Sequence, residues 1–273
     1  MSAGPRKIRE RVFASPFTLC PPAIPDYAWR IEHSVGIDQS GLDDLRDRAR
    51  LIAERLSESP RERPLFVEFS GSPKSGKSTC IDIVAHFFRR VGFKVLAPAE
   101  GASKRTPYYL KDDLAAFNTW SADYALNHVL EGLYHSDRFD ISILDRGLFD
   151  ALVWFELLAE TGDVTPKERD HVHHFLLIEK WRSAIDAVFL FKADPDTSLR
   201  REHEDKLIEE HGRAMNPDFL ASLNAAYDRA REKYAEDFPS LVVIDTSDSD
   251  KTTAKGTASI VATRIVEMLE RST

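Results

Sequence analysis

GSPKSGKST, residues 71–79, follows an apolar run, LFVEFS (65–70), and precedes STCIDIVAHFFRRV (78–91), whose apolar residues fall at helical spacing. The stretch matches G-x-x-x-x-G-K-[ST] in full, in the strand-then-helix context that separates this motif from an ordinary glycine-rich turn. Gly71 and Gly76 permit backbone angles that turn successive N–H groups toward phosphate oxygens. The helix beginning near Lys77 adds its positive end. The spacing therefore predicts a phosphate cradle built from Gly71, Ser72, Pro73, Lys74, Ser75, Gly76, Lys77, Ser78 and Thr79. Lys77 is expected to reach the β- and γ-phosphates of ATP, and Ser78 to offer a hydroxyl to Mg²⁺. The loop points to nucleotide binding and leaves the reaction open.

Outward from the loop the pattern alternates. LFVEFS (65–70), FKVLA (93–97), ISILD (141–145), AVFLFK (187–192) and LVVID (241–245) are nearly continuous apolar runs, as expected of parallel strands covered on both faces. Helical segments lie between them, over 78–91 and about 112–135, and a last one runs over about 255–271. Two more are opened by recognisable caps. Thr165-Pro166 with Glu168 has the form of a capping box with proline at the first helical position, and Asn216-Pro217 opens another. The alternation predicts an α/β fold of three layers around a five-stranded parallel sheet, with ligands at the carboxyl edge of the strands. Ahead of it, Leu42, Leu45, Ala49, Ile52, Ala53 and Leu56 share one face of a helix over 40–59. Residues 1–39, with PFTLCPPAIPDYAW, read as an irregular arm. The expected division is an arm and amphipathic helix over 1–62 and a nucleotide-binding domain over 63–273.

Composition narrows the partners. The 273 residues are 42% hydrophobic and 30% charged, ordinary for a globular protein. No apolar run approaches the roughly 20 residues needed to span a bilayer. MSAGPRKIRER lacks the apolar stretch that would make it a secretory leader. Cys20 and Cys80 form neither a disulfide framework nor a metal pair, which fits a reducing, cytoplasmic setting. A net charge of −8 argues against a nucleic-acid duplex as the main partner, although a local basic groove is compatible with that average. A homodimer is equally compatible.

The rest of the chain sorts the nucleotide machines. It has no guanine-reading N-K-x-D and no Ser-Gly-Gly signature of transporter ATPases. The third strand ends in ILDRGLFD (143–150). Asp145 is placed to hold Mg²⁺ through water, and Arg146 to direct charge at a phosphoryl group. With the phosphate loop, this pair resembles the thymidylate kinase and deoxynucleoside kinase group of P-loop kinases. WSADYALNH (120–128), KADPDTSLRRE (192–202) and NPDFLASLNAAYDRA (216–230) extend the resemblance over about residues 65–245. They look like that group's acceptor-lining segment, its strand with an Asp-Pro turn and arginine-bearing lid helix, and the helix after the lid.

What the resemblance implies is a kinase with lid helices, using ATP and Mg²⁺ to phosphorylate a small molecule. Two positions depart from thymidylate kinases, which carry an Asp in the loop and an Arg before the Glu after strand two. Pro73 and Ala99 stand there instead. Glu100 is retained, and a carboxylate without an adjacent cation suits a hydroxyl acceptor, whose proton it takes. Lys104 and Arg105 follow closely and leave a phosphate acceptor open. The base-reading Gln of deoxynucleoside kinases is not evident near Phe117–Trp120. The expected catalytic set is Lys77, Glu100, Asp145, Arg146 and a lid arginine among Arg200, Arg201 and Arg213, with Ser78 and Asp145 at the metal. The reading is a phosphotransferase acting on a hydroxyl of a nucleoside-like molecule. Its alternatives are a nucleoside monophosphate kinase, a kinase of nucleic-acid ends or modified bases, and a nucleotide-sensing regulatory ATPase.

The remaining chemistry-bearing residues have blander readings. Tyr108, Tyr109, Phe117, Trp120 and Tyr124 read as core aromatics. His171, His173 and His174 read as an exposed helical surface without metal partners. Cys80, beside Ile81 and Val84, reads as a buried thiol.

Overall fold

The computed structural model describes residues 30–31, 38–97, 105–110, 112–205, 215–248 and 252–272. Its strands are β1 (Arg30–Ile31), β2 (Leu65–Gly71), β3 (Val95–Leu96), β4 (Ile141–Asp145), β5 (Ile185–Lys192) and β6 (Leu241–Asp245). All pair in parallel, in the order β1-β6-β5-β2-β4-β3. The five strands read from the sequence are all present, and the two residues of β1 join them at the β6 edge. β3 is shorter than FKVLA because Phe93 closes the preceding helix, its N–H donating to the Phe88 carbonyl. The Lys94 N–H is also taken, by the Asp140 carboxylate at 2.7 Å.

The helices are α1 (Gln39–Glu58), α2 (Lys77–Val91), α3 (Leu114–Tyr134), α4 (Leu148–Thr161), α5 (Pro166–Leu176), α6 (Glu179–Arg182), α7 (Pro195–Asp205), α8 (Pro217–Lys233) and α9 (Ala254–Ser272). The caps occur where the sequence puts them. Thr165 and Glu168 form the reciprocal box with Pro166 inside it, and the Asn216 side chain accepts from the Phe219 N–H. Asp38 caps α1 by accepting from the Gly41 N–H at 2.8 Å.

β2 is buried along its whole length, and period-two alternation divides its side chains between two cores. Leu65, Val67 and Phe69 face α1, α2 and α9, where Leu45, Ala49, Ile52 and Leu56 of α1 meet Val261, Ile265 and Leu269 of α9. Phe66 faces the opposite layer of α3, α4 and α8, with Val129, Leu148, Leu152, Leu223 and Tyr227. Glu68 and Ser70 share that second face, which puts a carboxylate inside the protein at the level where α4 begins. With helices on both faces, the strand ends that carry Gly71 and Asp145 open on one edge, and the site forms there.

Candidate active site

Gly71 ends β2 at φ 131°, and a Cβ there would overlap the Phe191 carbonyl of β5. Only glycine fits. Gly76 has space around it, but at φ 90° it makes the left-handed turn that launches α2. Between them Lys74 also takes a left-handed backbone, φ 58°. Lys77 is 6% exposed, and its ammonium donates to the carbonyls of Gly71 (2.9 Å) and Ser72 (2.7 Å) and to Ser75 Oγ (3.3 Å). Burial, with Arg146 nearby, pulls its pKa down to about 7 against the opposing pull of Asp150 and Asp145.

The end of β4 supplies the other charges. Burial raises the Asp145 carboxyl, with Lys77 and Arg146 opposing. Arg146 follows at φ 65°, a strained backbone for a residue with a side chain. Its guanidinium donates to Asp150 Oδ2 at 2.7 Å and lies over the Trp154 ring, 5.7 Å from the centroid. Burial works against the charged arginine, but Asp150 outweighs it and the pKa is raised. Asp150 also accepts, on Oδ1, from the Gly71 N–H at 3.2 Å and from Tyr227 at 2.5 Å.

Behind them Glu68 caps α4 from inside the sheet. Its oxygens accept from the N–H groups of Phe149 (3.1 Å) and Asp150 (2.8 Å) and from the Ser70 hydroxyl (2.6 Å). Gly147 makes this approach possible, since a Cβ there would overlap the Glu68 carboxyl. Burial pushes Glu68 up to about 7, while the Ser70 hydroxyl and the two amides pull the other way.

These groups border a cavity of about 800 Å³ with the loop residues Pro73 to Thr79 along it. Asp145, Arg146, Leu114, Phe117, Asn118 and Trp154 line the β4 side. Thr246, Thr252, Ala254 and Thr257 line the β6 side. Because β4 and β6 lie on opposite sides of β2, the two sets flank the phosphate loop. Ser78 is exposed at the start of α2 and, like Asp145, borders the cavity. Hydroxyl and carboxylate oxygens are the hard donors that Mg²⁺ prefers.

Arg201 on α7 donates to the Lys74 carbonyl and to Thr246, while its neighbour Glu202 pairs with the Lys74 ammonium at 3.1 Å. Arg200 is exposed on the same helix. Ala99, Glu100, Lys104 and Arg213 lie outside the described residues. Among the aromatics, Phe117 borders the cavity, whereas Trp120 and Tyr124 stack on each other at 5.3 Å beside Arg105. Tyr108 and Tyr109 are 83% and 78% exposed, which corrects the core reading for both. His171 and His174 are exposed as expected, but His173 is not. It is buried between the Leu152 carbonyl (3.0 Å) and the Tyr234 hydroxyl (2.9 Å), and burial lowers its pKa to about 4. No group of three or more His, Cys, Asp or Glu side chains fit to hold a metal occurs among the described residues. Cys80 is buried, and burial raises its thiol.

Glu68, Asp150 and Tyr227 went unread in the sequence, as did Asn118, Trp154 and Thr246 along the cavity. A signal existed for the first, since a glutamate inside the fully apolar run LFVEFS needs internal donors.

The chain has the three-layer fold of P-loop deoxynucleoside kinases. It is similar to solved structures of deoxyadenosine kinase from M. mycoides. With bound dCTP the TM-score is 0.51 at 16% identity, covering 74% of this chain and 98% of that one. With bound dATP the values are 0.51 and 16%, covering 74% and 99%. With the products dCMP and a flexible dCDP they are 0.50 and 14%, covering 74% and 98%. No protein-family model and no curated protein sequence matches the chain. No helix among the described residues is long and apolar enough to cross a membrane.

Proposed function

We propose that this protein is an ATP- and Mg²⁺-dependent phosphotransferase that phosphorylates a hydroxyl of a nucleoside-like small molecule. The observation that carries the reading is one cavity in which Lys77, Asp145 and Arg146 converge on the phosphate loop between two flanking walls. The wall of Thr246, Thr252 and Thr257 would receive the donor nucleotide. The wall of Leu114, Phe117, Asn118 and Trp154, apolar with one amide, would receive the acceptor. Nucleotides bound in the solved deoxyadenosine kinases, dATP and dCTP among them, support ligands of this class.

In this mechanism Lys77 and the loop amides hold the β- and γ-phosphates. The ammonium exchanges its bonds to the Gly71 and Ser72 carbonyls for phosphate oxygens, and Arg146 neutralises charge on the group in transit. Ser78 and Asp145 would hold Mg²⁺, which when bound neutralises phosphate charge. Such chemistry rests on positioning and exclusion of water more than on covalent steps. Glu100 is proposed as the base that takes the acceptor's proton. Its replacement by Gln should cut single-turnover transfer by about 10²–10³-fold with ATP binding little changed, within the range of general-base effects.

The deciding experiment is purified protein with Mg-ATP against nucleosides, nucleoside monophosphates and oligonucleotides, scored for phosphate transfer. Transfer to a nucleoside hydroxyl is the expected result. Transfer only to monophosphates or oligonucleotide ends would replace the acceptor. ATP binding without transfer to any acceptor would favour a nucleotide sensor.

A further inference from the structure

We propose that Asp150 and Tyr227 are positioning residues that set the direction of the Arg146 guanidinium in the cavity. The catalytic meaning of that cation rests on the phosphotransferase reading above; the arrangement itself does not.

The Asp150 carboxylate is almost wholly inside the protein, and each of its oxygens has a distinct task. Oδ2 takes the Arg146 guanidinium at 2.7 Å. Oδ1 takes the Gly71 N–H at 3.2 Å and the Tyr227 hydroxyl at 2.5 Å. Three donors occupy most of the roughly four acceptor positions of a carboxylate, so its orientation is fixed about all axes. The donors come from three separate elements, the ends of β2 and β4 and the middle of α8. Those elements meet at the phosphate loop.

Arg146 needs such a seat. It stands on a left-handed backbone, beyond the end of β4, where the strand no longer directs its side chain. Asp150 and Trp154 lie one turn apart on α4, hence on one face. The carboxylate holds one nitrogen of the guanidinium, and its Cζ lies over the Trp154 ring, 5.7 Å from the centroid. Tyr227 is fully buried, and its hydroxyl keeps Asp150 from turning away.

Asp150 also holds the Gly71 N–H, so the carboxylate that seats Arg146 is anchored to the strand that leads into the phosphate loop. Removing one partner of a buried ion pair is destabilising in itself, so orientation has to be read separately from stability.

The test compares wild type, Tyr227→Phe and Asp150→Asn, each checked for melting temperature. Tyr227→Phe keeps the buried ring and guards against loss of the fold. Arginine-labelled protein is followed by NMR for rotation of the Arg146 guanidinium about Nε–Cζ, and single-turnover transfer and ATP binding are measured in parallel. The expected result is faster rotation in both variants. Transfer at saturation should fall about tenfold in Tyr227→Phe and about 10²-fold in Asp150→Asn, as for a misplaced catalytic group, with the ATP Kd changed much less. Unchanged rotation in both variants overturns the proposal whatever the activity. Loss of transfer that only tracks loss of melting temperature overturns it as well. Released rotation in a protein whose wild type transfers no phosphate supports the seat and tells against the kinase reading.

Discussion

The Arg201 guanidinium donates to the Lys74 carbonyl at 3.0 Å, tying α7 to the crest of the phosphate loop where the backbone is left-handed. The same side chain donates to the Thr246 carbonyl at 2.7 Å, and the Thr246 hydroxyl donates to the Ser75 carbonyl at 3.0 Å. The loop is thus buttressed from the β6 side by two residues that follow its course. Arg201→Ala should weaken ATP binding about tenfold or more and lower the melting temperature. Each bond to a charged donor is typically worth about 1.5–3 kcal/mol. Transfer at saturating substrates should change less. Intact ATP affinity with a collapsed transfer rate would make Arg201 a lid catalyst instead.

Lys77 gives a proton signature. With a pKa of about 7 it is largely neutral at pH 8.5, and a triphosphate in contact with it favours the ammonium. ATP binding should therefore take up a proton through this residue above pH 7 and not at pH 6. Calorimetry in buffers of different ionisation heat reads the uptake. Lys77→Ala should abolish that part of it and weaken binding or turnover at least tenfold, a loss of over ~1.4 kcal/mol. Identical proton uptake in wild type and variant would refute the assignment.

Glu68 predicts a pH dependence of stability with a definite sign. Its folded pKa is raised to about 7 from the model-peptide value of 4.5, so between those values the folded state binds more protons than the unfolded one. Its contribution is fully present below about 4.5 and is lost as pH rises through 7. Relative to Glu68→Gln, wild type should lose stability progressively over that window in denaturant titrations. Parallel curves for the two proteins would contradict it.

The α1 helix should behave as part of the core. Ile52 is 3% exposed, and Ile52→Ala should cost about 2–5 kcal/mol of unfolding free energy. The Arg48–Glu270 pair, 2.8 Å apart and partly exposed, belongs to a class worth about 0–1 kcal/mol. Glu270→Gln should therefore be nearly silent. Removing residues 1–59 should lower the melting temperature or solubility, and an unchanged melt would show α1 to be dispensable.

The phosphate loop, the strands and the helix caps were legible in the sequence because each depends on a local pattern. A glycine spacing, an apolar run or a Thr-Pro-x-Glu sequence carries its own geometry. Asp145 and Arg146 were legible because they end a strand on the edge where ligands bind. The partners of Arg146 were only half legible. Asp150 is one helical turn away, but Tyr227 reaches it from 77 residues further on. His173 was misread because three histidines in four positions share a polar look, while only one points toward Leu152 and Tyr234. Tyr108 and Tyr109 were misread because aromatic composition does not say which side of a short turn faces solvent.

The pairing of α1 with α9 bears on how the chain is made. Arg48 and Glu270 meet across 222 residues, and the apolar face of α1 is completed by side chains of α9. At typical synthesis rates the first helix waits roughly ten seconds or more for its cover. During that time Leu45, Ile52 and Leu56 have no α9 residues to pack against. Long-range closure of this kind slows folding, since the entropy of joining distant segments is spent before their contacts form. Until α9 is made, the apolar face of α1 has only α2 and the strands of that layer to cover it.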